Sequence, residues 1–268
     1  MMEIIRLEKV TKRYGGRVVL DHIDKRFRSG DSVAFTGHNG CGKSTLLKII
    51  AGLTTPSEGK VIQARPLLFH YIPEKFPPTA LTARQYLMRM SAMDGVRKGE
   101  AGRQIETFGE DFFLGELLDV PMKSLSRGTL QKVGVMQALM VRPDVLLLDE
   151  PVSGQDKASQ KVFIEKVNKL RSEDVTIFMA CHENNMIKAI AGDTYVIQDG
   201  RLEISAVYDV KRYTAILENA AGCEATDSMD RYGRYYRLRA EEKECDRLLP
   251  ELLSLGWKLR GMYDEEDN

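Results

Sequence analysis

At 268 residues the chain is long enough to bury a sizeable hydrophobic core, and this length suits one large domain or one domain with a small addition. Its 39 Lys and Arg residues balance 39 Asp and Glu residues, so it has no net positive field of the kind that attracts nucleic-acid backbones. We therefore expect no nucleic-acid partner.

The apolar stretches are all far shorter than the ~18 uncharged residues that indicate a membrane-spanning helix. The first residues, MMEIIR, lack the charged head and apolar run of a secretory signal. The four cysteines form no CxxC pair and have no histidines at metal-binding spacing, which predicts free thiols. The sequence thus predicts a cytoplasmic chain without a membrane span.

The first third of the chain predicts strands followed by a loop and a helix. Residues 3–10 and 18–27 alternate apolar and polar side chains, as expected of strands with one buried face. The apolar run from Val33 to Thr36 stops at Gly37, and apolar side chains with helical spacing resume at Leu46. The predicted order is strand, glycine-rich loop, helix.

The middle of the chain predicts a helical insert followed by the rest of an α/β core. From residue 81 to about residue 140 the apolar side chains recur with helical spacing. Residues 145–148 and 175–179 are continuous apolar runs separated by a helical segment, which is typical of parallel strands covered on both faces.

The C-terminal residues predict a small β-α-β appendage. Residues 235–240 and 257–262 alternate as strands do, and residues 242–255 carry an apolar helical stripe between them. Residues 264–267 are all acidic, and a solvated tail is their expected structure.

Residues 37–44, GHNGCGKS, fit the pattern of a phosphate-binding loop. Glycines allow backbone N–H groups to converge on phosphates, the following helix adds positive potential, and the lysine bridges phosphate oxygens. The pattern also arises by chance, but its position between a predicted strand and a predicted helix favours function. The expected nucleotide contacts in this segment are Gly37, Asn39, Gly40, Cys41, Gly42, Lys43, Ser44 and Thr45.

The apolar strand at residues 145–148 ends in two acids, Asp149 and Glu150. Alone, this pattern is also common where a core strand emerges into solvent. Beside a phosphate loop it predicts that Asp149 lies near Mg²⁺, together with Ser44, and that Glu150 lies near an attacking water. The phosphate loop alone is also found in kinases, GTPases and many ATPases, and the paired acids narrow this range.

Residues 125–129, LSRGT, precede a predicted helix and resemble the LSGGQ signature of ABC ATPases. Further positions match that family in order over residues 1–205. Tyr14 falls where the family has an aromatic that stacks on adenine, residues 153–156 (SGQD) resemble its D-loop, and His182 falls at its switch histidine. The chain therefore resembles the ATP-binding subunit of an ABC transporter.

This resemblance implies a P-loop NTPase core of the RecA-like α/β type. It implies an N-terminal antiparallel β subdomain and a helical insert at about residues 76–142, within a cassette at residues 1–205. Residues 206–268 would form a C-terminal accessory region with the acidic tail. The sequence departs from the family at three places: the signature keeps only one of its two glycines and loses its final glutamine, Glu74 replaces the Q-loop glutamine, and Gln155 replaces the usual apolar residue of the D-loop.

The resemblance also implies a mechanism with ATP and Mg²⁺, in which two cassettes close head to tail around the nucleotide. Lys43, Glu150 and His182 would act in hydrolysis, and Glu74 remains a possible Mg²⁺ ligand. The residues expected to act across the dimer are Ser126, Gly128 and Asp156.

The motion would pass to separate membrane permease subunits, which would hold the chain at the inner face of the cell membrane. The dimer partner would be a second copy or a sister cassette. Overall resemblance favours an exporter. Two alternatives remain: a soluble ABC ATPase that acts on ribosomes or DNA, and a cassette that binds ATP without hydrolysis. Such soluble factors usually carry two cassettes or a long coiled-coil insert, and this sequence shows neither. Glu150 and His182 argue against the cassette that binds ATP without hydrolysis.

Overall fold

The computed structural model describes residues 2–204, 212–219, 229–233 and 235–264. The chain divides into two compact units, Met1–Ser205 and Ala206–Asn268. In the described ranges, no helix combines the length and apolar character needed to cross a bilayer.

The N-terminal sheet has three antiparallel strands, β1 (Glu3–Tyr14), β2 (Arg17–Arg28) and β4 (Glu58–Gln63), in the order β2-β1-β4. Ile5, Leu7 and Val10 of β1 are buried, as the apolar alternation predicts. The predicted β subdomain is thus present. Strand β4 was not predicted, because its sequence EGKVIQ has no regular alternation.

The core of the first unit is a six-stranded sheet in the order β5-β6-β7-β3-β8-β9. All neighbours are parallel except β8 and β9. All residues of β3, β6 and β7 are buried, which explains their continuous apolar runs. The strands are β3 (Ser32–Thr36), β5 (Phe69–Ile72), β6 (Val145–Asp149), β7 (Thr176–Ala180), β8 (Asp193–Gln198) and β9 (Arg201–Ile204).

Helices connect the parallel strands, as the predicted α/β class requires. Helix α1 (Lys43–Ile50) follows β3, α5 (Lys157–Ser172) joins β6 to β7, and α6 (Asn184–Ile190) joins β7 to β8. Because these strands are parallel, the carboxyl ends of β3, β6 and β7 lie at the same edge of the sheet. Ligands bind at this edge in open α/β folds.

The insert between β5 and β6 is helical. It contains α2 (Ala83–Met93), α3 (Lys98–Asp111), two short 3-10 helices and α4 (Arg127–Leu139). Helix α2 begins with a capping box in which Thr82 and Gln85 satisfy each other's backbone N–H groups. The first helix therefore starts later than residue 76, where the predicted insert begins.

The described residues of the second unit form a four-stranded antiparallel sheet and one helix. Its strands are β10 (Arg212–Asn219), β11 (Met229–Tyr232), β12 (Tyr235–Glu241) and β13 (Trp257–Asp264), and its helix is α7 (Glu242–Ser254). The predicted β-α-β appendage corresponds to β12, α7 and β13, but β10 lies between these two strands. The simpler prediction was therefore incomplete. Most of the predicted acidic tail, residues 265–268, lies outside the described residues.

Candidate active site

The loop at residues 37–44 has a backbone that only glycine adopts readily. Gly37, Gly40 and Gly42 have φ values of 129°, 80° and 116°. A Cβ at Gly37 would lie 2.7 Å from the carbonyl oxygen of Ile197. The loop is therefore packed closely against β8, and glycine at position 37 is required by contact as well as by conformation.

Two further residues of the loop begin α1. The buried Lys43 donates from Nζ to the carbonyl oxygens of Gly37 at 2.7 Å and His38 at 3.2 Å. Ser44 Oγ donates to Asp149 Oδ1 at 2.8 Å. The N-terminus of α1, the Lys43 ammonium and these hydroxyl and carboxylate oxygens thus converge on one place.

Cys41, a predicted nucleotide contact within the loop, has its side chain turned away from the cleft. Its side chain is buried in the hydrophobic core, and its backbone N–H donates to the His38 carbonyl oxygen at 3.2 Å. The close fit of the loop over the core turns the thiol inward: a Cβ on Gly37 would lie 2.9 Å from Cys41 Sγ. No Cys41 side-chain atom therefore faces the cleft.

Asp149 is held from two sides. While Ser44 occupies Oδ1, Tyr71 from the neighbouring strand β5 donates its hydroxyl to Asp149 Oδ2 at 2.7 Å. Burial, followed by the Asp149 hydrogen bond, raises the pKa of Tyr71 far above its usual value, so the phenol stays protonated. Tyr71 thereby orients a carboxylate at the edge of the sheet.

These oxygens suit Mg²⁺. The ion prefers hard oxygen donors and is usually held by one or two protein ligands plus phosphate and water. Ser44 Oγ and the Asp149 carboxylate provide such a pair. The described residues contain no group of three or more His, Cys, Asp or Glu side chains that could hold a metal ion.

Glu150 directly follows β6 and has a left-handed backbone, with φ of 49°. Its N–H donates to the Ala180 carbonyl oxygen at 2.9 Å, which fixes this strained residue to the end of β7. Burial is the main cause of a raised pKa of about 7 for its carboxyl group, against the lowering effect of Lys43. A carboxyl group with that pKa is suited to accept a proton near neutral pH.

His182 lies beside Glu150 after β7. Its Nε2 is 2.7 Å from Glu150 Oε1, and in the described part of the chain that oxygen accepts no hydrogen bond. Burial and then the Lys43 charge lower the pKa of His182. The imidazole is therefore neutral at physiological pH and faces a carboxyl group that titrates there.

A cleft of about 660 Å³ brings most of the predicted site residues together. A larger cleft of about 970 Å³ lies on the N-terminal sheet, but the predicted site residues are absent from its lining, so we assign the chemistry to the smaller one. Its lining consists of Tyr14, Val19, Asn39, Gly40, Gly42, Lys43, Ser44, Thr45, Glu74, Glu150, Ser153, Gly154, His182 and Glu183.

The signature segment, residues 125–129, does not line this cleft. Ser126 caps α4 by accepting a hydrogen bond from the Thr129 N–H at 3.1 Å. A Cβ on Gly128 would lie 2.2 Å from the carbonyl oxygen of Gly154, so the approach of the D-loop requires glycine there.

Asp156, at the end of the D-loop, makes its described contacts within its own chain. It caps α5 by accepting a hydrogen bond from the Ser159 N–H at 2.9 Å, and it pairs with Lys132 of α4 at 2.8 Å. The Lys132 hydrogen bond, followed by that of Ser159, lowers the pKa of Asp156 far below its usual value. Asp156 thus joins the signature helix to α5.

Some contributors to the site were not predicted. Tyr71 was given no role, although its position in a strand next to β6 would have placed it beside Asp149. Glu183 lines the cleft, and its place directly after His182 is the signal that could have identified it, whereas Ser153 belongs to the predicted D-loop segment.

The parallel α/β fold, the glycine loop on α1 and the Asp149–Ser44 pair define a P-loop ATPase. The family profile described as "ABC transporter" matches residues 20–153. The zinc import ATP-binding protein ZnuC of Halorhodospira halophila is 32% identical over 74% of this chain and 75% of its own length. ZnuC of Pseudomonas putida is 31% identical over 69% and 70%. The chain belongs to the ABC transporter ATP-binding family.

Solved structures support the fold. One described as the ATP-binding subunit of an ABC transporter has a TM-score of 0.68 and 24% identity, and the match covers 74% of this chain and 88% of that one. A dimeric ATP-binding cassette in a post-hydrolysis state, bound to ADP and Pi, has a TM-score of 0.65 and 22% identity over 75% and 97%.

Family membership establishes the predicted enzyme class: the chain is an ABC transporter subunit that binds ATP with Mg²⁺ and hydrolyses it. Subunits of this kind dimerise and pair with membrane permease subunits. The two ZnuC relatives are named for zinc import, so the comparisons do not support the expected exporter.

Proposed function

We propose that the chain couples ATP-driven closure of a cassette dimer to import of a substrate through a separate membrane permease. The proposed ATP hydrolysis rests on one observation. Lys43, the Ser44–Asp149 pair and the Glu150–His182 pair converge on one cleft. The direction of transport is supported by the names of the relatives, and zinc is the first cargo to test.

Within the cleft, the residues have separate roles in the proposed reaction. Lys43 and the N-terminus of α1 neutralise the phosphates, and Ser44 and Asp149 hold Mg²⁺, with Tyr71 orienting the carboxylate. Glu150 accepts the proton of the attacking water, because its pKa of about 7 suits a general base at neutral pH.

Three other predicted residues lie at the edges of the proposed nucleotide site. His182 holds the γ-phosphate and detects its loss. Tyr14, half exposed at the end of β1, offers its ring to the adenine. Glu74 lines the cleft, but its described ion pair is with Arg127, so we do not assign it as a Mg²⁺ ligand.

Ser126 and Gly128 complete the site from a second cassette. This is supported by their position outside the cleft of their own chain, at the N-terminus of α4, where the helix dipole favours an anion. Asp156 transmits closure between the two sites through its contacts with Lys132 and α5. The assembled chain is peripheral on the cytoplasmic face of the membrane, where the permease holds it.

Three measurements test this proposal: hydrolysis by the purified chain, its association with membranes in the host, and metal uptake by the host. Purified chain should release phosphate from MgATP, and a tagged copy expressed in its host should be recovered with membranes and with an integral membrane protein. Uptake of radioactive zinc should fall when the chain is deleted. Recovery with ribosomes or DNA instead would favour a soluble ABC factor and contradict the transporter assignment.

A further inference from the structure

Two of the departures from the family pattern lie next to each other in the fold. Arg127 replaces a glycine of the signature, and Glu74 replaces the glutamine of the Q-loop. Arg127 Nη2 lies 3.4 Å from Glu74 Oε1 and 3.4 Å from Ser153 Oγ. One guanidinium group therefore contacts both the Q-loop position and the D-loop.

These contacts connect parts of the chain that are distant in sequence. Arg127 is the first residue of α4, Glu74 lies two residues after β5, and Ser153 follows β6. Glu74 and Ser153 both line the nucleotide cleft, whereas Arg127 does not. The pair thus connects the start of the signature helix to the rim of the cleft in the same chain.

The charge of Glu74 would be unfavourable in this cleft without a partner. Glu150 and Glu183 already line it, and ATP brings further negative charge. The effect of Glu74 extends to the catalytic groups: burial is the main cause of the raised pKa of Glu150, and the Glu74 charge adds to it. A glutamine at position 74 carries no charge, so it would neither add negative charge to the cleft nor contribute to the raised pKa of Glu150.

We propose that Glu74 and Arg127 are a positioning pair, in which the guanidinium neutralises the carboxylate at the nucleotide cleft and ties the signature helix to that cleft. The two departures therefore compensate each other. This inference rests on the proposed function of the cleft, and it assigns to Arg127 a role that the signature glycine does not have.

The pair does not serve mainly to stabilise the fold. Its side chains are about half exposed, at 56% for Arg127 and 48% for Glu74, and exposed ion pairs contribute little to stability. Substitutions should therefore leave the melting temperature almost unchanged while they alter nucleotide affinity. A pair that only stabilised the fold would instead lower the melting temperature when substituted and leave the nucleotide affinity unchanged.

The test compares the wild type with Glu74→Gln, Arg127→Gln and the double variant. Arg127→Gln should weaken binding of a fluorescent ATP analogue with Mg²⁺ by roughly threefold, because Glu74 is left unneutralised. Adding Glu74→Gln should restore affinity to within experimental error. High salt should reduce the difference between the wild type and Arg127→Gln, since the effect is electrostatic.

Two controls separate charge from other causes. Arg127→Lys keeps a cation and should retain most of the affinity. Arg65→Gln removes a comparably exposed guanidinium, which pairs with Asp144 away from the cleft, and should leave affinity unchanged.

The outcomes distinguish this inference from the proposed function. If the wild type binds MgATP but the fold-changes in affinity caused by Glu74→Gln and Arg127→Gln multiply in the double variant, the two residues act independently. The proposed pair is then refuted, whereas the proposed function stands. If the wild type binds no nucleotide, both fail together.

Discussion

Two regions of the cassette differ in how closely they follow the family pattern. They are the phosphate-loop side, at residues 37–44 with Asp149 and Glu150, and the signature side, at residues 125–129 with Glu74 and the D-loop. On the loop side, Gly37 and Lys43 fit the family pattern, and backbone contacts within one chain explain both. On the signature side, Gly128 fits the family pattern where the Gly154 carbonyl approaches, but Arg127 and Glu74 both differ from it and pair with each other. The residues in close backbone contact thus follow the family pattern, whereas the two that differ from it form an exposed ion pair.

The strongest test of the loop side is removal of the proposed general base. Glu150→Gln should slow phosphate release by roughly 100- to 10,000-fold, the scale for loss of a positioned acid–base group. Binding of MgATP should remain, because the amide keeps the shape of the side chain. Parallel phosphate-release and nucleotide-titration experiments measure both quantities, and hydrolysis at the wild-type rate would remove Glu150 from the mechanism.

The next effect concerns Lys43, whose buried ammonium lies under the loop. Lys43→Ala should weaken ATP binding by roughly 10- to 100-fold, because a charged hydrogen-bond donor to phosphate is lost. Isothermal titration with MgATP measures the change. Lys48→Ala, in the last turn of α1 and absent from the cleft lining, is the matched control and should bind normally. Equal affinities for all three proteins would contradict the placement of the phosphates.

On the signature side, Gly128→Ala tests whether backbone contact fixes the residue. Its Cβ would lie 2.2 Å from the Gly154 carbonyl oxygen, so we expect the free energy of unfolding to fall by about 1–3 kcal/mol. Gly102→Ala in α3 is the control: its Cβ would meet nothing within 4 Å, and it should be stabilising by about 0.5–1 kcal/mol. Urea unfolding measures both. Unchanged stability in Gly128→Ala would mean that the D-loop moves away freely.

The smallest expected effect is at Tyr71. Tyr71→Phe removes the hydroxyl that orients Asp149 and should raise the Mg²⁺ concentration needed for half-maximal ATPase activity by about tenfold. Tyr86→Phe loses a hydroxyl that donates to Gln137 in the helical insert, and its Mg²⁺ dependence should match the wild type. If the two variants respond alike, Tyr71 has no part in metal binding.

The sequence predicted the loop side well because its information is local. A strand, a loop with spaced glycines and a helix are adjacent in the chain, so residues 37–44 and Asp149 could be placed from pattern alone. The inward direction of Cys41 was missed, since it depends on how closely the loop packs on the core.

The sequence predicted less of the signature side because its contacts cross long distances. Nothing near Glu74 indicates that Arg127 lies 3.4 Å away, and nothing near Asp156 indicates Lys132. The short strand β5 was also missed, because four residues show no clear alternation, although it carries Tyr71. In the second unit, β10 could not be placed between β12 and β13 without knowledge of strand pairing.

The central claim is that one chain holds only half of a nucleotide site and that ATP joins two halves. Light scattering during size-exclusion chromatography of Glu150→Gln tests it most directly. With MgATP the mass should double from the monomer value of 30.3 kDa, and it should return to that value without nucleotide. Adding Lys43→Ala to this variant should abolish the shift. A Glu150→Gln protein that remains monomeric while saturated with ATP would contradict the account.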